Sequence, residues 1–267
     1  MQDKIKKLVL FDVDGTLIAH NPNWNEAALD ALSEGFSVTL TNREVPENIG
    51  TAIGVAIEVL KANGITEMIC ENYKENIEKS VAAFQRIVKE GVENGSLVWM
   101  ALPNAKNILK ILSQRSDVKL ALLTANPRDV TMMKLKSAGI DPRYFMDDNS
   151  DELCGAFGCE HESRSSLINI AMKRCSKEQK IGHPISVDAV FIGDTPHDVN
   201  CAHDNNIPCV AVTTGVYVKT DLHLADYILE DGFENLTESI EAILRTLTKT
   251  IPQTSLAVEK KIRCLMV

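Results

Sequence analysis

Short apolar runs alternate along the chain with segments of helical periodicity. The runs cover residues 8–11, 120–123, 187–192 and 209–212. Continuous apolar strands are typical of a parallel sheet that is buried on both faces. The segments between them, such as residues 105–112, 129–138 and 165–175, repeat apolar positions at helical spacing and are followed by turn residues. This alternation predicts an α/β fold with a doubly wound (Rossmann-like), mostly parallel sheet.

One part of the chain breaks this rhythm. Between about residues 25 and 95 the pattern is helical, notably over residues 52–63 and 71–90, with few strand-like runs. We therefore expect a small helical cap domain inserted into the α/β core. The predicted division is a discontinuous core of residues 1–19 and 97–250, a cap of residues 20–96, and a C-terminal tail of residues 251–267.

Charge and composition narrow the possible partners. The chain has 28 Lys and Arg against 37 Asp and Glu, a net charge of −9, which argues against a sequence-independent nucleic-acid binder and favours small molecules. The longest stretch without charge, residues 205–218, is too short and too interrupted to span a membrane. Seven cysteines without a CxxC pair indicate reduced thiols rather than disulfides, and no export signal is evident. A cytoplasmic protein is expected.

Two pairs of carboxylates follow two of the predicted strands. Asp12 and Asp14 end the first strand, and Asp194 and Asp198 follow a later one. Close carboxylates repel each other unless a cation relieves them, and oxygen ligands from several loops suit Mg²⁺. The plainer alternatives are a turn at Asp14 and a helix cap at Asp198.

A third strand end carries residues suited to an anion. Thr124 closes that strand, and the amides that follow it, beginning with Ala125, precede a helix. A hydroxyl and free amides at a helix start can hold phosphate. Threonine is also a common capping residue, so Thr124 gains weight only from its neighbours.

These motifs together resemble those of the haloacid dehalogenase (HAD) superfamily. The resemblance is carried by the sequence DVDGT from Asp12, then Thr124, then a basic residue before a helix, and finally Gly193 with Asp194 and Asp198. The segments 120–139 and 155–174 are most similar to the phosphoglycolate-phosphatase-like branch, which has a helical C1-type cap between the first two motifs. The predicted insert lies at that place.

The resemblance implies a role for each motif residue. Asp12 would be the nucleophile that forms an aspartyl-phosphate, and Asp14 the general acid and base. Mg²⁺ would be held by the Asp12 carboxylate, the Asp14 carbonyl and Asp194, with Asp198 as a further partner, while Thr124 and the Ala125 amide would bind phosphate.

The third motif departs from the family pattern. Most relatives have a lysine there, but residues 155–167 contain none. Arg164 is the candidate for the catalytic, phosphate-binding cation, because a guanidinium can clamp phosphate in a bidentate manner. His161 is the reserve candidate. A solvated charge at a helix start is the plainer interpretation of Arg164.

The expected activity is a Mg²⁺-dependent phosphomonoesterase acting on a small phosphorylated metabolite of the phosphoglycolate or sugar-phosphate type. The alternatives are a phosphotransferase or phosphomutase of the same fold and a catalytically silent phosphate- or metal-binding module. Contacts to the leaving group are expected from the cap, with four candidates: His20, Asn21, Trp24 and Arg43.

The last residues carry a separate signal. Cys264-Leu265-Met266-Val267 fits the C-a-a-X prenylation pattern and follows basic residues, although valine is not among the usual final residues. If Cys264 is prenylated, the protein would attach peripherally to a membrane.

Overall fold

The computed structural model describes residues 7–46, 50–68, 70–146, 151–176 and 188–248. The strands are β1 (Lys7–Phe11), β2 (Val118–Thr124), β3 (Gly155–Phe157), β4 (Asp188–Gly193), β5 (Cys209–Val212) and β6 (Tyr227–Leu229). The helices are α1 (Trp24–Phe36), α2 (Ala52–Ala62), α3 (Tyr73–Asn94), α4 (Ala105–Ser113), α5 (Arg128–Ser137), α6 (Arg164–Ser176), α7 (Pro196–Asp204) and α8 (Leu236–Thr246). A short 3₁₀ turn spans Pro142–Phe145.

The strands form one parallel sheet in the order β3-β2-β1-β4-β5-β6. The predicted doubly wound α/β fold is thus confirmed. From β1 the chain adds β2 and β3 on one side of the sheet, and it then adds β4, β5 and β6 on the other side. The strand order therefore reverses between β1 and β4. Ligands of such sheets bind in the crevice at the carboxyl ends of the strands beside this switch point.

Both faces of the sheet are buried, as the continuous apolar runs predict. Side chains alternate along a strand, so Val9 and Phe11 pack in one cluster with α4, α5 and α8, while Leu8 and Leu10 pack in a second cluster with α6 and α7. The side chains of β1 are at most 1% exposed over residues 8–11. The carboxyl edge of the sheet therefore rests on a core that is packed from two sides.

The cysteine expectation is wrong for one pair. Cys154, just before β3, and Cys175, on α6, are joined as a disulfide, with Cα atoms 5.8 Å apart. The helix packs directly on that strand, which brings together two residues 21 positions apart in sequence. Cys70, Cys159, Cys201 and Cys209 are free thiols.

The helices α1 to α3 form an insert between β1 and α4, which we call the helical insert (residues 20–96). Its own apolar cluster joins Leu29, Leu32 and Phe36 of α1 to Val59 and Leu60 of α2. The chain leaves and re-enters the core through a paired stem: the amide of Ala19 donates to the Met100 carbonyl at 2.9 Å, and that of Leu102 to the Leu17 carbonyl at 2.9 Å.

The insert also touches the core at the start of α2. The amide of Ala52 donates to the Ala125 carbonyl at 3.0 Å, and the amide of Ile53 donates to the Gly158 carbonyl at 3.2 Å. These bonds use N–H groups that a helix start leaves without intrahelical partners. The insert is thus docked on the loops that follow β2 and β3.

In the described part of the chain, no helix is both long enough and apolar enough to cross a membrane. The tail of residues 251–267, with Cys264, lies outside the described residues.

Candidate active site

Three of the predicted carboxylates converge at the switch point of the sheet. Asp12 directly follows β1, where its amide donates to the Ile192 carbonyl of β4 at 2.9 Å. Asp194 directly follows β4, and Asp198 lies in the first turn of α7. Oxygen atoms of these three side chains lie within 4.8 Å of one another, and all three residues are buried. Three carboxylates this close together repel one another unless a cation or a proton relieves the repulsion.

Asp198 takes part in both roles considered for it. Its carboxylate accepts from the Thr195 amide at 3.0 Å while Thr195 Oγ1 accepts from the Asp198 amide at 3.2 Å, which is a capping box at the start of α7. The Thr195 amide and the Thr195 hydroxyl both donate to Asp198 Oδ2. The other oxygen, Oδ1, lies 2.5 Å from Arg164 Nη2.

The donor set at this cluster suits a divalent cation. Asp194 Oδ1 accepts from Thr16 Oγ1 at 3.1 Å, but the buried Oδ2 atom has no hydrogen-bond partner among the described residues. A buried anionic oxygen without a partner is costly unless an ion occupies the space beside it. A Cβ atom on Gly15 would lie 2.2 Å from this oxygen, so glycine keeps the space open. Carboxylate oxygens are ligands for hard cations such as Mg²⁺.

The electrostatics of the metal-free cluster point the same way. Burial raises the pKa of Asp12 to about 8, with Arg164 opposing the shift and Asp198 and Asp194 adding to it. Burial also raises the pKa of Asp194, opposed by the nearby His20 imidazole, whose Nε2 atom lies 3.7 Å from Asp194 Oδ2. The Asp194 carboxylate in turn raises the pKa of His20. Without a cation, these carboxyl groups therefore hold protons more strongly than ordinary aspartates.

Arg164 supplies the positive charge of the cluster. Its Nη2 atom lies 3.0 Å from Asp12 Oδ1 and 2.5 Å from Asp198 Oδ1. Its Nη1 atom donates to the Gly50 carbonyl of the helical insert at 2.9 Å. Burial disfavours the charge, but Asp198 and Asp12 more than offset this, and the pKa of Arg164 is raised. His161 is exposed, and its Nδ1 atom accepts from the Ser163 amide at 2.9 Å.

The Asp14 carboxylate is not a member of this cluster and has partners of its own. Asn126 Nδ2 donates to its Oδ2 at 2.7 Å, and Lys134 Nζ lies 2.9 Å and 2.8 Å from Oδ1 and Oδ2. Lys134 is fully buried on α5. Neither of these two partners is predicted from the sequence. The available signal was spacing, because Lys134 follows the buried Val130 by four residues and therefore shares its helical face.

The predicted phosphate loop lies beside Asp14. Thr124 is buried at the end of β2, and its Oγ1 atom accepts from Asn126 Nδ2 at 2.7 Å. The carbonyl of Ala125 accepts from Ala52 of the insert. The loop of residues 124–126 thus contacts Asp14 on one side and the insert on the other.

The four proposed leaving-group contacts lie in different surroundings. His20 Nε2 is 3.7 Å from Asp194 Oδ2, and the Trp24 ring lies against Lys134. Asn21 instead donates to the Val98 carbonyl at 2.9 Å. Arg43 pairs with Glu26 and Asp30 on the surface of the insert, at 2.5 Å and 2.8 Å. The structure places His20 and Trp24, but neither Asn21 nor Arg43, against site residues.

A cavity of about 820 Å³ separates the insert from the loop after β2. Its walls are mainly apolar and include Ala28, Val55 and Phe84 from the three helices of the insert. Its floor includes Asn126, whose side chain donates to Asp14. The cavity therefore ends one side chain away from that carboxylate.

Comparisons with known proteins point to one family of hydrolases. Residues 9–212 match the model of the haloacid dehalogenase-like hydrolase family. "Probable phosphatase IndB" of Dickeya dadantii is 25% identical over 246 residues, which cover 90% of this chain and 96% of that protein. "Phosphoglycolate phosphatase 1" of Pseudomonas aeruginosa is 26% identical over 214 residues, 79% of this chain and 71% of that protein.

A solved structure shares the fold. The crystal structure of a predicted phosphatase from Clostridium acetobutylicum is 20% identical, covers 90% of this chain and 99% of its own, and has a TM-score of 0.59. The resemblance found in the motifs is thereby confirmed: the chain belongs to the haloacid dehalogenase-like hydrolase family and is an enzyme of its phosphatase class.

Proposed function

We propose that the protein is a Mg²⁺-dependent phosphomonoesterase that hydrolyses a small phosphorylated metabolite through an aspartyl-phosphate on Asp12. The observation that carries this proposal is the convergence of Asp12, Asp194 and Asp198 at the switch point, with the buried Asp194 Oδ2 atom lacking a hydrogen-bond partner among the described residues. Phosphoglycolate and sugar phosphates are the substrate types we test first, and the relative named a phosphoglycolate phosphatase supports that choice.

We assign different roles to the core and to the helical insert. Residues 1–19 and 97–250 form the catalytic core, and residues 20–96 act as the cap. The cap excludes water from the site, and the organic part of the substrate extends toward the cavity above Asn126.

In the first step, Asp12 attacks phosphorus through the oxygen that is not paired with Arg164. The bond between phosphorus and the leaving oxygen breaks, and the proton carried by Asp14 goes to that oxygen, so that an alcohol leaves. Arg164, the Thr124 hydroxyl and the Ala125 amide bind the phosphoryl oxygens and offset their charge.

In the second step, water attacks the aspartyl-phosphate. Asp14 takes a proton from this water, the bond between phosphorus and Asp12 breaks, and phosphate is released. The Asp12, Asp194 and Asp198 carboxylates and the Asp14 carbonyl would hold Mg²⁺, which when bound would neutralise the charge of phosphate and carboxylates. Asp14 is poised for its role because Asn126 and Lys134 fix both of its oxygens.

The test is phosphate release from a panel of phosphomonoesters with and without Mg²⁺. We expect metal-dependent release that is abolished in Asp12→Asn and strongly reduced in Asp14→Asn, whereas Asp188→Asn, at an exposed position of β4, behaves as wild type. No release from any substrate would refute the proposal. Transfer of the phosphoryl group to a second sugar without phosphate release would instead identify a phosphotransferase.

A further inference from the structure

The ammonium group of Lys134 makes all of its polar contacts in the active site. Its Nζ atom lies 2.9 Å and 2.8 Å from the two Asp14 oxygens and 2.8 Å from Asn126 Oδ1. An ammonium group has three donors, so these three acceptors satisfy it fully. Asn126 completes the arrangement, because its Nδ2 atom donates to Asp14 Oδ2 at 2.7 Å. Asp14 is thus held at both oxygens by two neighbouring side chains.

Packing alone does not explain a lysine at this position. The side chain is completely buried, and its helical neighbours Val130 and Leu135 are buried and apolar. Burial lowers the pKa of Lys134, against the attraction of Asp14. Well-packed apolar residues often replace a buried ion pair at no cost in stability. The charge therefore calls for an explanation in the chemistry of the site.

The helical insert closes the remaining side of the ammonium group. Lys134 Nζ lies 3.1 Å from the centroid of the Trp24 ring, at the start of α1, and 5.3 Å from that of Trp99. Cations bind the faces of aromatic rings, and more strongly where water is excluded. The Trp24 ring packs on Phe84 of α3 at a centroid distance of 4.7 Å. The Lys134 ammonium group, which holds Asp14, is therefore also a point of contact between the insert and the core.

We propose that Lys134 is a positioning residue for hydrolysis: it orients the Asp14 carboxyl group, and Trp24 makes this orientation depend on the docked insert. The inference rests on the proposed role of Asp14 as acid and base. When the insert docks, Trp24 fixes the ammonium group, and Lys134 and Asn126 then hold the Asp14 oxygens in one orientation. Hydrolysis is then suppressed while the insert is undocked and the site is open to water.

The test compares Lys134→Met with Lys136→Met, which removes an exposed lysine two positions along the same helix. First-turnover rates are measured by rapid quench with p-nitrophenyl phosphate, whose leaving group needs little protonation, and with an alkyl phosphate, whose leaving group needs a proton. For Lys134→Met we expect kcat on the alkyl phosphate to fall about 10- to 100-fold, as for other residues that support an active-site group, with little change in KM. The loss on p-nitrophenyl phosphate should be smaller.

Two further variants complete the design. Lys134→Arg should recover part of the rate, and Trp24→Leu should show the same dependence on the leaving group as Lys134→Met, to a smaller extent. In an Asp14→Asn background, Lys134→Met should add no further loss, because Lys134 acts through Asp14. If Lys134→Met does not fold, Lys134→Arg and Trp24→Leu provide the same comparison.

Equal losses on both substrates, or an additive loss in the double variant, would overturn the role of Lys134 while leaving the proposed function intact. A wild-type rate in Lys134→Met would do the same. A wild-type protein without Mg²⁺-dependent phosphate release would refute the proposed function itself, and the Lys134 proposal with it. Measurements on the wild type therefore test the proposed function, and measurements on the variants test the role of Lys134.

Discussion

The Nη2 atom of Arg164 lies 2.5 Å from Oδ1 of Asp198. The same nitrogen lies 3.0 Å from Asp12, so two carboxylates of the proposed metal site share a single positive charge. Arg164 begins α6, and its other terminal nitrogen bonds to Gly50 of the insert. One side chain thus connects Asp12, the capped start of α7 and the docked insert.

Removal of this cation should weaken both stability and catalysis. Arg164→Met leaves two buried carboxylates without their partner, and breaking a buried pair in this way typically costs about 3–5 kcal/mol. We expect a lower melting temperature in the absence of Mg²⁺ and a large fall in kcat. Lys173→Met, an exposed change on α6, serves as the control. Equal melting temperatures for the two variants would contradict the assigned contacts.

Arg164→Lys tests geometry rather than charge. A lysine has one nitrogen, whereas Arg164 uses two to reach the carboxylates and the Gly50 carbonyl. We expect most of the stability to return without full recovery of kcat. Thermal unfolding and steady-state rates on the same preparations would measure this separation, and full recovery of both would show that the contact to the insert is dispensable.

Gly15 should be essential for metal binding. It has a φ of +79°, and an added Cβ would lie 2.2 Å from Asp194 Oδ2 and 2.7 Å from His20 Nε2. The matched control is Gly95→Ala, since Gly95 has a φ of +78° and open space around it. Both variants should lose about 1 kcal/mol or more from backbone strain. Only Gly15→Ala should lose the rise in melting temperature on addition of Mg²⁺, as measured by differential scanning fluorimetry. A full Mg²⁺ response in Gly15→Ala would place the cation elsewhere.

The metal-free protein should lose stability as pH rises toward 8. Burial raises the pKa of Asp12 from 3.8 to about 8, so the folded protein keeps a proton that the unfolded chain releases. Between these two values the folded state binds more protons than the unfolded state, and the free energy of unfolding therefore falls with rising pH. In EDTA, the melting temperature of Asp12→Asn relative to wild type should increase through this window and then level off. A difference independent of pH would contradict the raised pKa.

Two thiols, the buried Cys201 and the half-buried Cys159, should resist alkylation. Burial raises the pKa of Cys159 to about 11 and that of Cys201 to about 12, so the reactive thiolate is scarce near neutral pH. We expect peptide mapping after iodoacetamide treatment to show little label on either residue until denaturant is added. The denatured sample serves as the control, and rapid labelling of Cys201 in the native protein would show that the packing around it opens readily.

The sequence predicted those strands whose run of apolar residues is long enough to indicate a buried strand. The apolar runs of β1, β2, β4 and β5 are long enough to be recognised, because strands buried on both faces leave no polar interruption. β3 and β6 have three residues each, too few for a periodic signal, and pair only because neighbouring strands present a free edge. The Cys154–Cys175 disulfide depends on the same tertiary packing.

The site was predictable where charge stands out from its surroundings. Carboxylates directly after apolar strands are conspicuous, and Asp12, Asp194 and Asp198 do meet. Lys134 is the reverse case, since a lysine within a polar helix is usually solvated. Its burial follows from the position of Asp14 across the loop and of Trp24 on the insert, neither of which a linear pattern specifies.

The paired stem at Ala19 and Met100 also affects how the sequence of the protein can evolve. The insert begins and ends at neighbouring points, so its length and lining can vary without altering the spacing of the strands beneath it. Substitutions that retune substrate choice and substitutions that impair the chemistry thereby fall in separate stretches of the gene. Contacts such as those of Trp24 and Gly50 require the two stretches to evolve together.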